Sequence, residues 1–594
     1  MSKTDNPDTD TEDDDVFLEN SDHVVIESEE LPQLLYKISD RVPVHLTIFF
    51  AIQQTIISLS LNLVVSAVVA DVSCAADFLD IRTDLLSSTL LITGVTTLLM
   101  VTVGVRLPVF QGASMDYVLP LLALKTLNPD LCKLPGERDP ITNISMATNS
   151  TVHANVFSET DLRRGLAITK LSELQGCLLL AGAFHLLVGL TGIFGLLLKF
   201  IGPVTVVPAI LLMSLYVSRA VVTFCRPHWG ISAVTTITSV VLSLYFGNRK
   251  MPCPVWSRRK GCHIIWYPLH QVLSVLIGLL VGWCVSAILT HTGVLIDDQS
   301  AVGYMARTDT RADIIADAYW FKIPYPNRFG TPTINTSVLI GFIIGTFTSI
   351  IDSIGDYYAC AKTCNVPPPP RYAVNRGVAV EGLGTVLSGV FGCGHATTTY
   401  GGNIGAIGLT KVASREVLVW TALIYIVFGV VGKVSAFFIT IPQPALGGTM
   451  IVLFGMLNGV ILSNLEVISL SSTRNLAIIG TSLLIGATIP YWLEKYPNDL
   501  QTGNPYKDYI VKTLLSNPVL CGGITATLLD NTVSGTEQER GISAWREPEK
   551  CTQTQYAEGV EVYALPVPTR WLSWKAMKFL PFCHYQDKEE HDQL

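Results

Sequence analysis

Uncharged apolar stretches of about twenty residues recur along most of this chain, and no other feature constrains the fold as strongly. Residues 44–69, the first of them, contain no Asp, Glu, Lys or Arg. At 1.5 Å per residue such a run spans a hydrocarbon core about 30 Å thick. The runs are continuous rather than alternating, so they read as membrane helices and not as strands. Of the 594 residues 49% are hydrophobic and 15% charged, where soluble domains carry about 25% charge. The expected fold class is therefore an all-α polytopic membrane protein.

Roughly fourteen crossing segments are predicted on the length criterion. The first seven lie near 44–69, 86–105, 109–125, 174–198, 201–221, 230–246 and 269–291. The second seven lie near 336–354, 377–393, 403–412, 416–438, 444–463, 475–492 and 508–529. The third member of each set is short or polar: one holds Gln111-Gly112-Ala113-Ser114, the other Gly401-Gly402-Asn403-Ile404-Gly405. Interrupted segments at matching ranks point to repeats that meet at a midplane binding site. Because each set has an odd count, the two copies insert in opposite orientations. The predicted division is a disordered acidic cytoplasmic tail (1–40), a first repeat (41–292), an extracellular connecting loop (293–334), a second repeat (335–530) and a cytoplasmic C-terminal tail (531–594). Residues 1–30 hold twelve acids and one base, Lys3, so they contribute −11 and the rest of the chain, against a total of −8, carries +3. The acidity therefore belongs to a tail that is too polar to fold alone, and the chain opens with no cleavable signal peptide.

Loop charge sets the orientation. Arg249, Lys250, Arg258, Arg259 and Lys260, then Lys362, Arg371 and Arg376, then Lys411 and Arg415, fall on one side; placing that side inside puts both termini in the cytoplasm. The loop at 126–170 is then outside, where Asn143-Ile144-Ser145 and Asn149-Ser150-Thr151 form two glycosylation acceptors. Cys74 and Cys132 also face outward, where a disulfide can form. The other cysteines lie mostly in apolar segments, as small buried side chains. The loop at 293–334 carries Tyr319, Trp320, Phe321 and Tyr325 and either lies on the outer surface or joins the repeats.

The chemistry concentrates in Thr348–Lys411. Asp352 and Asp356 are four residues apart, hence on one helical face. Two acids at membrane depth repel each other and face a cavity that handles a substrate or ion. A helix break follows, then the glycine-rich run from His395 to Gly405, whose half-helix would offer free N–H groups and a positive dipole end. Asp352 can accept charge-assisted hydrogen bonds from a polar ligand; Asp356 and Gln111 supply hard oxygens for a cation such as sodium. The alternative for the two acids is a structural ion pair with Lys362 or Arg376, and His395 is read as hydrogen-bonded in place rather than as a proton carrier. No nucleophile–base set or nucleotide loop is present, so an enzyme is not expected, nor is nucleic-acid binding.

Several blocks carry a resemblance: Leu107-Pro108-Val109-Phe110-Gln111-Gly112, Ser353-Ile354-Gly355-Asp356-Tyr357-Tyr358-Ala359, Pro367 to Pro370 with Asn375-Arg376-Gly377, Asn403-Ile404-Gly405 with Thr410-Lys411, and Leu529-Asp530-Asn531-Thr532-Val533 with Glu539-Arg540-Gly541. Over residues 33–545 the chain resembles the nucleobase–ascorbate transporter family, animal sodium-dependent vitamin C transporters among them, and more distantly bacterial uracil permease. The resemblance implies two inverted seven-segment repeats with half-helices at segments three and ten. It implies a core domain from segments 1–4 and 8–11, a gate domain from 5–7 and 12–14, and a plasma-membrane homodimer. The implied activity is elevator-type, sodium-coupled symport of L-ascorbate or a purine or pyrimidine nucleobase; an anion exchanger or channel of the same architecture and a non-transporting sensor are the alternatives. Carried over position by position, substrate contacts fall on Ser114, Met115, Tyr117, Asp352, Tyr400, Gly401 and Asn403, and the animal members' sodium-linked aspartate on Asp356. Three positions depart from the family pattern: Gln53-Gln54 replaces a glutamine–histidine pair, Gly402 replaces a side chain that helps select substrate, and Asp116 adds a charge.

Overall fold

The computed structural model describes most of residues 34–541 together with 556–565. Residues 1–33, 119, 123–131, 134–158, 194–201, 248, 258–260, 268, 299, 311–314, 317, 464, 466–467, 502, 504, 542–555 and 566–594 lie outside this description. Both glycosylation acceptors and most of the acidic tail therefore fall outside it.

In chain order the helices are α1 (Val44–Val72), α2 (Leu79–Thr102), α3 (Glu159–Thr191), α4 (Pro203–Cys225), α5 (Trp229–Val240, continued by a π-helical turn Val241–Tyr245) and α6 (Ser274–His291). The second half comprises α7 (Thr336–Thr363), α8 (Arg371–Phe391), α9 (Gly401–Thr410), α10 (Arg415–Val430), α11 (Gly432–Ile439), α12 (Gln443–Ser463), α13 (Thr473–Lys495), α14 (Pro505–Leu515) and α15 (Pro518–Thr532). Strand β1 (Gln111–Ala113) stands third in the first half, and β4 (Thr397–Thr399) with α9 stands third in the second. Strands β2 (Met251–Ser257) and β3 (Gly261–Tyr267) pair as a hairpin in what the charge pattern alone reads as a plain loop.

Among the described residues seven helices are long and apolar enough to cross a membrane, or eight if α10 and α11 count as one span bent by 86°. Six of the fourteen predicted crossings fall short of this. Segment three is strand β1, and segment ten is strand β4 with the half-helix α9; α5 with its π-helical turn (Trp229–Tyr245) and the described apolar part of α12 (Gln443–Met456) are short; α8 carries Arg371, Arg376 and Glu381; and segment fourteen is two helices, α14 and α15, with Asn517 accepting from Val519 and Leu520 amides to cap the second.

Helix pairing obeys an exchange of ranks. The second segment of one half packs on the fourth of the other, α2 on α10 and α8 on α3. The fifth packs on the sixth and seventh of the opposite half: α4 on α13 and α15, and α12 on α5 and α6. That is the pattern of two inverted copies. It divides the helices into one group of α1–α3 with α7–α10 and another of α4–α6 with α12, α13 and α15. Small residues let the first group close up, as lipid-facing helices without a hydrophobic drive require. A Cβ on Gly382 would meet the Leu186 amide nitrogen at 2.2 Å, and one on Gly189 would meet the Ala379 nitrogen at 2.3 Å.

Residues 34–40 and 556–564, which the sequence assigns to the two tails, pack on the helices. Ile38 is 1% exposed, and Tyr36 bridges Val412. Residues 556–564 lie across the turn after α7: the Tyr563 hydroxyl donates to the Pro367 carbonyl (2.6 Å), while Arg376 Nη2 and Arg415 Nη2 donate to the Tyr563 and Val562 carbonyls (2.7 and 2.5 Å). Cys74 and Cys132 are disulfide-bonded, with Cα atoms 5.5 Å apart. The connecting loop is fastened to the first group of helices: Lys322 and Arg328 both pair with the buried Asp84 of α2, and the Lys322 amide donates to the Val430 carbonyl (2.9 Å).

Candidate substrate site

The site is built where the two interrupted segments cross. Strands β1 and β4 pair antiparallel, with Gln111 opposite Thr399 and Ala113 opposite Thr397. The Ser114 amide donates to the Ala396 carbonyl (2.8 Å) and the Tyr400 amide to the Phe110 carbonyl (3.0 Å), extending the ladder at both ends. Buried backbone outside a helix needs partners at this depth, and neighbouring helices supply them. Asn62 of α1 accepts from the Ala113 amide (3.0 Å), and Thr97 of α2 accepts from the Gln111 amide (3.0 Å). Gly112 is obligatory: a Cβ there would lie 2.2 Å from Cζ of Tyr400, whose ring covers it and whose hydroxyl donates to the Ala113 carbonyl (2.8 Å).

Beside this crossing runs α7. Asp352 and Asp356 are half-buried, and neither makes a salt bridge or hydrogen bond with any described residue. The ion-pair alternative therefore does not hold: the Arg376 guanidinium donates instead to the carbonyls of Gly104 and Tyr563. Asp356 stands against the start of α9, where a Cβ on Gly401 would be 3.0 Å from its Oδ1. A Cβ on Gly402, Gly405 or Gly355 would meet nothing within 4 Å. Asp356 thus stands at the N-terminus of a half-helix, with Asp352 one turn before it on α7, and Tyr400, the N-cap of α9, makes no side-chain capping bond.

A third carboxylate, Glu381 of α8, is fully buried behind the crossing. Its Oε1 accepts from Gln111 Nε2 (3.0 Å), the Tyr357 hydroxyl (2.8 Å) and Thr399 Oγ1 (3.0 Å), while its Oε2 is buried without a close hydrogen bond among the described residues. The same holds for Gln111 Oε1. Asp116, a fourth acid, accepts from Ser114 Oγ (3.1 Å), and its Oδ1 has no close hydrogen bond among the described residues. Asp356, Asp116 and Glu381 all lie close enough to act electrostatically on Asp352.

The carried-over residues divide. Asp356 and Gly401 meet at the start of α9, Tyr400 covers the strand crossing, and Asp352 lies within electrostatic reach of Asp356. Asn403 turns to α1, its Nδ2 donating to Gln54 Oε1 (2.7 Å), so this pair ties the half-helix in place. Met115 sits in the core. The Tyr117 hydroxyl faces Thr346 Oγ1 (2.8 Å) and His185 Nδ1 (3.4 Å), with its ring packed on Phe342. His395 is held at both nitrogens, by Thr89 Oγ1 and the Ala396 carbonyl, each at 2.8 Å.

Polar backbone crossing at membrane depth, flanked by unpartnered acids, defines a carrier of small polar solutes. The model of the Permease family that includes xanthine and uracil permeases matches residues 45–495, and the chain belongs to that family, the nucleobase–ascorbate transporters. It is 35% identical over 549 residues to mouse (Mus musculus) solute carrier family 23 member 2, covering 92% of this chain and 82% of the relative. It is 36% identical over 513 residues to rat (Rattus norvegicus) solute carrier family 23 member 1, covering 86% and 82%. Nucleobase-ascorbate transporter 1 of Arabidopsis thaliana is 28% identical over 524 residues, covering 87% and 93%. The transmembrane domain of the cyanobacterium bicarbonate transporter BicA superposes with a TM-score of 0.42 at 12% identity over 83% of this chain and 100% of its own, too weak a likeness to bear on function. The protein is thus a multi-pass membrane transporter, and its relatives are named as carriers, not enzymes.

Proposed function

We propose that this protein takes up L-ascorbate or a purine or pyrimidine nucleobase across the plasma membrane, coupled to sodium, by an elevator motion of the first helix group against the second. Asp352 and the N-terminal end of α9 hold the solute, and Asp356 and Gln111 take part in holding sodium. The observation that carries the reading is the pair of acids on α7, one turn apart and without a hydrogen bond or ion pair among the described residues, with Asp356 against the N-terminal end of α9. Bound solute donors and a cation satisfy both acids at once. Gln111 Oε1 and Glu381 Oε2, buried oxygens without hydrogen-bond donors among the described residues, support the sodium reading, since hard oxygen ligands suit a hard cation. Sodium entry would couple uptake to the membrane potential, at about 2.3 kcal/mol per charge per 100 mV. Coupling is reciprocal, so sodium tightens solute binding and solute tightens sodium binding. The open face at Gly402 leaves room for a bulky, hydroxyl-rich ligand. Both termini are cytoplasmic in this reading, the 126–170 loop is glycosylated at Asn143 and Asn149, and two copies associate.

The test is uptake of labelled ascorbate, uracil, xanthine and hypoxanthine with and without sodium, in the wild type, Asp352→Asn and Asp352→Glu at matched surface expression. Asp352→Asn abolishes uptake. Normal uptake by that variant, or no sodium-dependent uptake of any of the four, refutes the reading.

A further inference from the structure

A second polar site lies about 18 Å along α1 from the candidate substrate site, counting twelve residues from Gln54 to Ser66 at 1.5 Å each. There a cavity of about 20 Å³ opens between α1 (Leu63, Ser66), α2 (Arg82, Leu86), α11 (Phe438) and α12 (Leu446), where the two helix groups meet near the Cys74–Cys132 bridge. Its walls are apolar apart from two donors. The Arg82 guanidinium has a single described hydrogen bond, Nη1 to the Ala76 carbonyl at the 3.5 Å limit. Asp77 and Asp71 act on it electrostatically, yet no acid among the described residues pairs with it. Ser66 is 5% exposed, and its hydroxyl has no hydrogen-bond partner among the described residues. Asp77 and Asp71 act on the guanidinium without a contact ion pair among the described residues, which leaves its donors open, and a hydroxyl donor without a described acceptor lines the same cavity.

We infer that this cavity is a monovalent-anion site held by Arg82 and Ser66. Its volume takes one water-sized occupant, which fits a halide and excludes a ring-sized organic anion in this conformation. An anion there neutralises Arg82 and gives the Ser66 hydroxyl an acceptor, joining the two helix groups at their Cys74–Cys132 end.

The test is thermal unfolding of the full-length protein in lipid nanodiscs at constant sodium, with gluconate replaced stepwise by chloride or bromide, and separately with ascorbate added in gluconate. Saturating halide raises the wild-type Tm by about 1–2 °C. The rise is lost in Arg82→Gln and reduced in Ser66→Ala, which serves if the first variant folds poorly. Equal wild-type Tm in gluconate and halide overturns the inference, as does a full rise retained in both variants. Protection by ascorbate alone, lost in Arg82→Gln, overturns the halide assignment. The halide readouts do not depend on the transported solute proposed above.

Discussion

Gly112→Ala tests whether the two interrupted segments must interlock as described. The new Cβ would sit 2.2 Å from Cζ, and 2.5 and 2.7 Å from Cε2 and Cε1, of Tyr400. The ring cannot yield by a small swing, because its hydroxyl is held by the Ala113 carbonyl at 2.8 Å and its other face meets Phe110 at a centroid distance of 5.5 Å. Overpacking of this kind costs about 1–3 kcal/mol, and the displaced Tyr400 hydrogen bond adds about 1 kcal/mol. A destabilisation of about 2–4 kcal/mol is expected on these two terms. Because β1 carries Gln111, uptake falls with it. The decisive assay is a double-mutant cycle on thermal stability with Tyr400→Ala, which removes the ring that clashes. The double variant should be less destabilised than the sum of the singles, since the two changes share one cause. Strict additivity, or wild-type stability and uptake in Gly112→Ala, would show that the strands do not cross as described.

Three further outcomes are expected. Glu381→Gln keeps an acceptor for Gln111, Tyr357 and Thr399 while removing charge, so uptake should fall with little loss of Tm, whereas Glu381→Ala strands three donors at about 1–3 kcal/mol each and should lower both. Cys74→Ser opens a crosslink spanning 58 residues, and the chain-entropy model sets its contribution at about 4 kcal/mol; equal Tm in the variant and in non-reduced wild type would contradict that contribution. Truncation after residue 555 strips carbonyl acceptors from Arg376 and Arg415, bonds to charged groups worth about 1.5–3 kcal/mol each, so it should lower Tm and expose the turn after α7 to protease; an unchanged Tm would contradict the role of Val562 and Tyr563.

The architecture was legible because lipid leaves the backbone few choices: segment ranks, the matching interruptions at Gln111–Ser114 and Gly401–Gly405, and the twin acids of α7 all follow from apolar length and glycine placement. Glu381 carries no motif. Its one signal is that it is a lone acid within the apolar run 377–393, where an ionisable residue is functional by default. Asn62 and Thr97 gave no signal at all, since a helix's polar residues declare their partners only once a distant strand is laid against them. Met115 and Tyr117 follow β1 in segment three, and the sequence does not show that Met115 packs in the core and that the Tyr117 hydroxyl meets Thr346 of α7. The packed residues 34–40 and 556–564 were hidden for a related reason: each is short and aperiodic, and acquires burial only by lying on the other and on α7–α10.

Tyr563 and Val562 have a consequence for biosynthesis. They cap the Arg376 and Arg415 guanidinia, yet they follow every membrane helix in the chain. All the membrane helices must therefore be made before this patch can close. Until residues 562 and 563 emerge, this rim of a finished-looking bundle stays unsealed, and a nascent chain released before them would be marked for quality control there rather than at the solute cradle.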